Sequence, residues 1–283
     1  MLIAVAGGLG AALMWAVSNL ASSRSTRMIG SGSVLAWVMA VGLVLDVGAI
    51  ALTRAPVTLD GPTLRYMAVA GFGNAFGLLL LLSSLRLGKV GLATSIASTE
   101  GAVGAVYSVL VGEHLPVLAY GLLTLTVVGV VLAAFAEEED AILGERRTLA
   151  AGLAVASALV SGASIFATGF ISSHQSLPWV LLPPRIAGVI AIAIPLAVRG
   201  NLRLTKSAAP LVLATGVAEI VGWLFYSVGA RESIAVAAVL SSLFAAFATI
   251  GAFFLFRERL SRYQLLGVAL IVLGVTTLTA ALV

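Results

Sequence analysis

The sequence repeats itself at a constant offset, and this repeat constrains the fold more than any other feature of the chain. Arg231 follows Arg86 by 145 residues, and the same offset relates Glu258 to Glu113. It also relates a leucine pair and three glycine pairs: Leu115 with Leu260, Gly129 with Gly274, Gly71 with Gly216, and Gly77 with Gly222. A repeat of this kind identifies the structural unit before single elements are assigned. The chain is therefore predicted to contain two copies of one unit.

The composition places this unit in a membrane. Hydrophobic residues make up 60% of the chain and charged residues only 10%, and the mean hydropathy is +1.13. Soluble domains carry about 25% charged residues. The net charge of +4 comes from Lys and Arg residues that lie between apolar runs, so no nucleic-acid partner is predicted. The first apolar run lacks the basic start of a signal peptide and is predicted to be kept as a spanning helix.

Apolar runs of about 20 residues are long enough to cross a bilayer as helices. The chain has ten: about 2–22, 34–53, 64–85, 90–112, 117–136, 149–171, 178–198, 209–229, 233–256 and 261–282. The polar segment 137–148 separates the two copies, which we place at residues 1–136 and 149–283. Because five is odd, the second copy enters from the opposite side of the membrane. The predicted fold is an all-α membrane protein with ten transmembrane helices in two inverted five-helix repeats, a common plan of secondary transporters.

A family resemblance rests on the end of each copy. The segment FRERLSRYQLLGVALIVLGV, residues 256–275, resembles the end of an EamA-like domain, in which a turn with a Glu precedes a last helix with glycines. Residues 111–130, VGEHLPVLAYGLLTLTVVGV, are a weaker version. Two such domains resemble the drug/metabolite transporter superfamily over essentially the whole chain. The resemblance implies a ten-helix carrier in the cell (inner) membrane that moves small metabolites, often outward, without naming its substrate.

Ionisable residues inside spanning helices are costly and are candidate functional residues. The predicted helices hold four: Asp46, Glu100, Arg185 and Glu219. At the 145-residue offset, Glu219 aligns with Asn74, and the other three align with alanines. The scaffold is thus duplicated while its interior charge is not. We therefore interpret the shared residues Glu113 and Glu258 as structural turns, and the unshared charges as candidates for substrate or proton binding.

Glu219 has the most informative surroundings among these charges. Gly216, Gly222, Trp223 and Tyr226 share its helix face. A carboxylate beside aromatic rings suits a cation or an amphiphile with a ring. Loss of hydration at the membrane centre favours the neutral carboxyl group, so we predict that Glu219 couples transport to protons. The alternatives are a permanently neutral hydrogen-bond donor, or a carboxylate held charged by an arginine.

The other three charges leave several interpretations open. Glu100 either binds substrate or protons, or pairs structurally, for example with Arg185. A structural role is the better interpretation of Asp46, which has few polar neighbours. Arg185 follows Pro183 and Pro184, which should bend or interrupt its helix. At such a break an arginine could bind a substrate carboxylate, or it could neutralise Glu100 or Glu219.

Neutral polar residues on several helices predict an internal cavity. One helix carries Ser157, Ser161, Ser164 and Thr168; others carry Trp15, Ser18, Asn19 and Ser22, then Asn74, then Ser242 and Thr249. Hydroxyl groups that join helices would explain the serines and threonines alone. They explain Trp15, Asn19 and Asn74 less well, because large polar groups need partners or water. The predicted binding candidates are therefore Glu219, Glu100, Arg185, Asn74, Asn19, Trp15, Trp223 and Tyr226.

Several functions lack a sequence signature. There is no phosphate-binding GxxxxGK[ST] loop and no HExxH or GxSxG motif, so the chain is predicted not to be an enzyme. Without cysteines, and with only the distant His114 and His174, neither a metal nor a cofactor is predicted. The predicted partners are a small-molecule substrate, the lipid bilayer and protons, with monomer and homodimer both open. The rival functions are an uncoupled facilitator and a membrane scaffold without transport. The scaffold would not need polar residues inside several helices.

The basic residues predict the orientation. If the N-terminus were cytoplasmic, only Arg54, Arg65 and Arg231 would lie in cytoplasmic loops, and twelve basic residues would lie outside. Cytoplasmic loops are normally enriched in Lys and Arg. The counts therefore predict both termini outside, although the family resemblance favours the opposite orientation.

Overall fold

The computed structural model describes residues 1–87, 96–134, 147–256 and 262–282, and these contain helices and no strand. The first repeat holds α1 Leu2–Ile29, α2 Ser31–Thr53, α3 Gly61–Leu87, α4 Glu100–Leu110 and α5 Val117–Ala134. The second holds α6 Arg147–Ser172, α7 Leu177–Gly188, a π-helical turn Val189–Ala193, α8 Ile194–Val198, α9 Ala209–Ala230, α10 Ile234–Ser241, α11 Phe244–Phe256 and α12 Arg262–Leu282. The all-helical prediction is confirmed.

Six helical stretches are long and apolar enough to cross a membrane. They are Leu2–Ile29, Ser31–Thr53, Gly61–Leu81, Thr148–Ser172, Leu177–Val198 and Ala209–Ala230. Four shorter apolar stretches accompany them: Glu100–Leu110, Val117–Leu132, Ile234–Ala248 and Leu265–Val275. A multi-pass membrane protein is therefore confirmed, and the exact number of ten spanning helices stays a prediction. The predicted linker 137–148 lies outside the described residues except for its last two positions.

The two repeats interlock through matched helix pairs. The closest packing joins α3 to α6 and α1 to α9. The two pairs are equivalent in the internal repeat, because α1 corresponds to α6 and α3 corresponds to α9. The pairs α5 with α12, α4 with α10, and α2 with α7 each join equivalent helices of the two repeats. Neither repeat therefore has a core of its own, and the two share one interior.

Glycines set the distance between paired helices. A Cβ atom on Gly7 of α1 would lie 2.5 Å from the Gly229 Cα atom of α9. A Cβ atom on Gly129 of α5 would lie 2.8 Å from the carbonyl oxygen of Gly267 in α12. Any larger residue would push these backbones apart. Small residues allow such close helix approach in membranes.

The outer surface of the bundle is apolar. Leu52, Val117 and Val198 are 88%, 87% and 82% exposed. Many other large apolar side chains on the outward faces of the helices are also exposed. In water such a surface would drive aggregation, whereas lipid tails solvate it. The surface thus agrees with the composition, and it leaves the interior as the place where polar groups converge.

Candidate functional site

A cavity of about 620 Å³ lies between the two repeats. Its wall is built by α1, α2, α3 and α6, by α9 and α11, and by Ala97, Ser98 and Glu100. Along α1 the lining extends from Trp15 in the middle of the helix to Thr26 near its end. It also includes Ser31, the first residue of α2. The cavity therefore extends from the middle of the bundle towards the α1–α2 turn, and its volume suits a drug-sized ligand.

Six of the eight predicted binding residues line this cavity. They are Trp15, Asn19, Asn74, Glu100, Glu219 and Trp223. The other two lie behind the wall. The Tyr226 side chain is fully buried, and its hydroxyl donates a 2.8 Å hydrogen bond to the carbonyl oxygen of Ile165. Arg185 is buried beneath Glu219 and does not reach the cavity surface.

Helix α9 presents three polar side chains to the cavity at steps of four residues. Thr215, Glu219 and Trp223 all line it. The spacing places them on one face of the helix. The sequence predicted Trp223 on the Glu219 face, but grouped it with Gly216, Gly222 and Tyr226 and did not include Thr215. Gly216 instead packs on the Val41 side chain of α2. The four-residue step from Glu219 was the signal that would have identified Thr215.

Glu219 is held by an indole and by a guanidinium group. Its Oε1 atom accepts a 3.1 Å hydrogen bond from Trp223 Nε1 and lies 3.7 Å from Arg185 Nη1. The Glu219 side chain is 23% exposed, and that of Arg185 is 1% exposed. The carboxylate thus faces the cavity with its cation behind it. Of the pairings that the sequence left open for Arg185, the structure forms the one with Glu219.

An aromatic cluster stands beside this carboxylate. The ring centroids of Trp15 and Trp223 are 5.0 Å apart in an edge-to-face arrangement, and Phe244 approaches Trp15 at 6.3 Å. The Trp15 Nε1 atom donates to the backbone oxygen of Glu219 at 3.4 Å. Gly222 makes room for the Trp15 indole, which lies where a Cβ atom of residue 222 would be. The cluster supplies ring faces next to negative charge, which suits an organic cation.

Glu100 is the second carboxylate of the cavity. It is the first residue of α4, and the Ser161 side chain on α6 hydrogen-bonds to it. Among the described residues, Glu100 forms no ion pair. Glu219 acts on it electrostatically as a like charge. The cavity therefore holds two acidic groups, of which only Glu219 has an adjacent cation.

The fourth helix of each repeat is interrupted beside the cavity, which sequence analysis did not predict. The helical hydrogen bonding is broken at Ser98–Thr99 before α4 and at Ser242–Leu243 between α10 and α11. Thr99 Oγ1 donates to the Ile96 carbonyl at 2.7 Å, and Ser241 Oγ donates to the Ala238 carbonyl at 2.8 Å. Such bonds compete with the helix ladder. Hydroxyl residues at nearly equivalent positions of both repeats were the available signal.

The predicted break at the two prolines takes a different form. Helix α7 continues through Pro183 and Pro184, and the irregularity follows as the π-helical turn Val189–Ala193. Gly71 of α3 packs closely on the Pro183 carbonyl group. The helix thus continues although the two prolines provide no backbone N–H groups. Arg185 consequently lies within a continuous helix rather than at a gap.

Hydroxyl groups on α6 have two roles. Ser157 and Ser164 line the cavity and also donate 2.7 Å hydrogen bonds to the Gly77 and Ala70 carbonyl groups of α3. Thr168 is fully buried and donates to the Ser164 carbonyl oxygen. Helix joining therefore accounts for much of this polar stripe, as the alternative interpretation held. Asn19 and Asn74 are the larger neutral polar groups of the wall.

Hydrogen bonds between the repeats close the end of the bundle away from the α1–α2 turn. Glu113 accepts from the Ser233 hydroxyl group and, at 3.1 Å, from the Ala235 backbone N–H group. It therefore caps α10 of the other repeat, whereas the sequence placed it at its own turn. At the same end, but within the second repeat, Arg231 donates to the Ser172 and Gln175 carbonyl groups at 2.7 and 3.2 Å. The repeat partner of Glu113, Glu258, lies outside the described residues.

Comparisons with known proteins agree with this architecture. The model of the EamA-like transporter family matches residues 2–135 and 148–280. Twenty-nine solved chains are similar in structure. One of them, a crystal structure, superposes with a TM-score of 0.81 at 20% sequence identity, over 98% of this chain and 96% of the solved one. At that identity the likeness concerns the fold alone. No curated protein matches the chain.

Proposed function

Because the chain belongs to the EamA-like transporter family, we propose that it is a secondary transporter that exports a small organic cation. The cation would pass through the cavity between the repeats. The observation that carries this proposal is the pairing of two carboxylates with two indole rings in one cavity of about 620 Å³. Carboxylates attract positive charge, and aromatic faces stabilise it. Export as the direction follows the family resemblance.

Charge balance favours a cationic substrate over an anionic one. Glu100 and Glu219 face the cavity, and Arg185, which could bind a carboxylate, is buried behind Glu219. A substrate anion would meet the two acidic groups before it reached the guanidinium. A substrate cation could instead approach Glu100 directly and stack against Trp15. The cavity wall thus discriminates by charge as well as by size.

We propose that protons compete with the cation for these carboxylates. Burial in a membrane protein favours the neutral form of an acid, so proton uptake would release a bound cation. The cross-repeat hydrogen bonds and the extent of the cavity towards the α1–α2 turn support an alternating-access cycle, in which the two ends open in turn. An inward proton gradient would then drive export. The sequence offers no nucleotide-binding loop that would supply another energy source.

Reconstitution in liposomes tests this function. Wild-type protein should move an aromatic cation such as ethidium against its gradient when a pH gradient is imposed. Glu100→Gln and Glu219→Gln keep the size of the side chain and remove titration. Each should reduce pH-driven transport by at least about tenfold, the loss expected when one charged contact is removed. Asp60→Asn is the matched control, because Asp60 lies in the α2–α3 loop outside the cavity lining and asparagine can still accept from the Thr63 N–H group.

The ion pair of Glu219 favours one rival, an uncoupled facilitator. Arg185 gives Glu219 a cationic partner within the protein, and a carboxylate in such a pair could serve transport without exchanging protons. A facilitator would move ethidium down its own gradient at equal rates with and without a pH gradient. If Glu219→Gln retains wild-type pH-driven transport while Glu100→Gln loses it, Glu100 is the coupling residue. If neither variant changes transport, the proposed site is wrong.

A further inference from the structure

Arg185 is deeply buried with too few hydrogen-bond partners. Its side chain is 1% exposed, although a guanidinium group carries five N–H donors. Nη1 lies 3.7 Å from the Glu219 carboxylate and 3.6 Å from the Met39 sulfur atom, which is a weak acceptor. Nε has no hydrogen-bond partner. Buried cations are normally well paired, so this arrangement leaves part of the arginine's bonding capacity unused.

A second buried carboxylate also lacks a partner for one of its oxygens. Asp46 on α2 is 3% exposed, and its Oδ2 atom forms no hydrogen bond. Met39, Gly42 and Asp46 follow one face of α2. The first two touch Arg185, and a Cβ atom on Gly42 would lie 2.7 Å from Arg185 Cδ. Asp46 therefore lies on the face of α2 that packs on this arginine, and the arginine acts on it electrostatically.

These two carboxylates are the available counter-ions for Arg185. The helices that pack most closely on α7 are α2, α3, α6 and α9. In the described stretches of these four helices, the acidic residues are Asp46 and Glu219 alone. Glu219 borders the cavity and Asp46 does not. One buried cation thus lies between a carboxylate that a ligand can reach and one that a ligand cannot.

We propose that Arg185 is a shared counter-ion, which moves from Glu219 to Asp46 when a cationic group binds Glu219. Asp46 is then a positioning residue for cation binding, although it never contacts the cation. The absence of a side chain at Gly42 leaves room for the arginine stem to move between the two partners. The transfer keeps the guanidinium paired in both states, whereas an unpaired buried charge would be strongly unfavourable. The identity of the cation rests on the proposed function.

A stability cycle on the purified full-length protein tests the sharing without any substrate. Glu219→Gln and Asp46→Asn should each lower the folded yield modestly, because Arg185 keeps one carboxylate. The folded yield of the double variant should be about tenfold lower than the two single-variant losses multiplied together predict. Such coupling is expected for groups that share one partner. Adding Arg185→Gln to the double variant should restore folded protein, since no buried cation remains. Independent losses, or no restoration by Arg185→Gln, would overturn the proposal.

Equilibrium binding of tetraphenylphosphonium to the same preparations tests the link to cation binding. Asp46→Asn should raise the Kd by about tenfold, because binding then separates Arg185 from its sole counter-ion. Asp46→Glu should retain near wild-type affinity. Ser33→Ala is the matched control, since Ser33 is also a buried polar residue of α2. An unchanged Kd for a folded Asp46→Asn variant would contradict the inference. Failure of the wild type to bind the probe would instead count against the proposed substrate class, and the stability cycle would still decide the sharing.

Discussion

At the scale of single residues, the site depends on which side chains face the cavity and on the space that their neighbours leave for them. Glu219 uses Oε1 for both Trp223 and Arg185, and it still faces the cavity. Trp15 reaches the same place because Gly222 has no side chain to displace it. The indole therefore lies against the α9 backbone and contributes one wall of the aromatic cluster.

Gly222→Ala tests this close contact. A methyl group at residue 222 would overlap the Trp15 indole and push it out of place. We expect the affinity for an aromatic cation to fall by about tenfold, the value of one cation–π contact. Gly152→Ala on α6 is the control, because a Cβ atom there meets no neighbour. Wild-type affinity in a folded Gly222→Ala protein would show that the position of Trp15 does not matter for binding.

Sequence alone selected residues that line the cavity where charge or size made a side chain unusual, and their role in binding stays a prediction. Intramembrane acids, asparagines and tryptophans are costly unless they face water or a partner, so Glu100, Glu219, Asn74 and Trp15 could be selected from sequence alone. Thr215 could not be selected on that ground, because a threonine satisfies its hydroxyl group with its own helix. It does so here, by donating to the Leu211 carbonyl oxygen at 2.8 Å. The pairing of Arg185 with Glu219 depended on tertiary geometry that spacing does not encode.

At the scale of elements, the helices follow from apolar length, but their interruptions do not. The breaks at Ser98–Thr99 and Ser242–Leu243 lie within predicted spanning runs that contain no proline, and only hydroxyl residues mark them in the sequence. They are stabilised by contact across the repeats, since Gly101, just after the first break, packs against the Ala238–Ser242 stretch. Two prolines suggested a bend or an interruption in α7, yet the helix continues through both of them. The position of an interruption therefore does not follow from local sequence alone.

Substitution of Glu113 tests how elements of the two repeats are joined. Its carboxylate accepts from Ser233 and from the Ala235 N–H group, so it caps α10 across the repeat boundary. Glu113→Gln removes the charge and one acceptor, and should destabilise the fold by about 2 kcal/mol, the value of hydrogen bonds to a charged group. The thermal unfolding of purified protein measures this loss. The affinity for substrate should change little, because Glu113 lies outside the cavity lining.

An acid in another loop provides the control for this prediction. Asp60→Asn makes the same change from carboxylate to amide, and asparagine can still accept from the Thr63 N–H group at the start of α3. It should unfold at a temperature close to that of the wild type. A Glu113→Gln protein with normal thermal stability and a selective loss of substrate affinity would show that Glu113 binds substrate instead.

At the scale of the whole molecule, the structure fixes which loops share a side of the membrane. Asn201 and Arg203 contact Ser33 at the start of α2, so the 199–208 loop lies beside the α1–α2 turn. Gln175 exchanges hydrogen bonds with Thr58 beyond the other end of α2. Helix α2 has 23 residues and so separates these two groups by roughly 34 Å. The cavity extends towards the first group.

The distribution of basic residues indicates which of these two sides is cytoplasmic. Among the described residues, Arg24, Arg27, Arg199, Arg203 and Lys206 lie towards the α1–α2 end, against Arg54, Arg65 and Arg231 towards the other. The sequence-based count of twelve against three points the same way. We therefore expect the α1–α2 side to be cytoplasmic. The cavity of this structure would then extend towards the cytoplasm, and the hydrogen bonds of Glu113 and Arg231 would close the outer end. That arrangement suits the loading of a compound to be exported.

Cysteine labelling in intact cells tests this orientation directly, because the chain has no cysteine of its own. Leu204 and Leu59 are 45% and 58% exposed and lie in loops on opposite sides. A membrane-impermeant thiol reagent should label Leu59→Cys in whole cells, and should reach Leu204→Cys only after the cells are opened. Each variant is the control for the other, because the reagent should reach only one of the two sides in intact cells. The reverse pattern would place both termini in the cytoplasm, as the family resemblance favours. The cavity would then extend to the outside, and the closed end would have to open before an exported compound could enter.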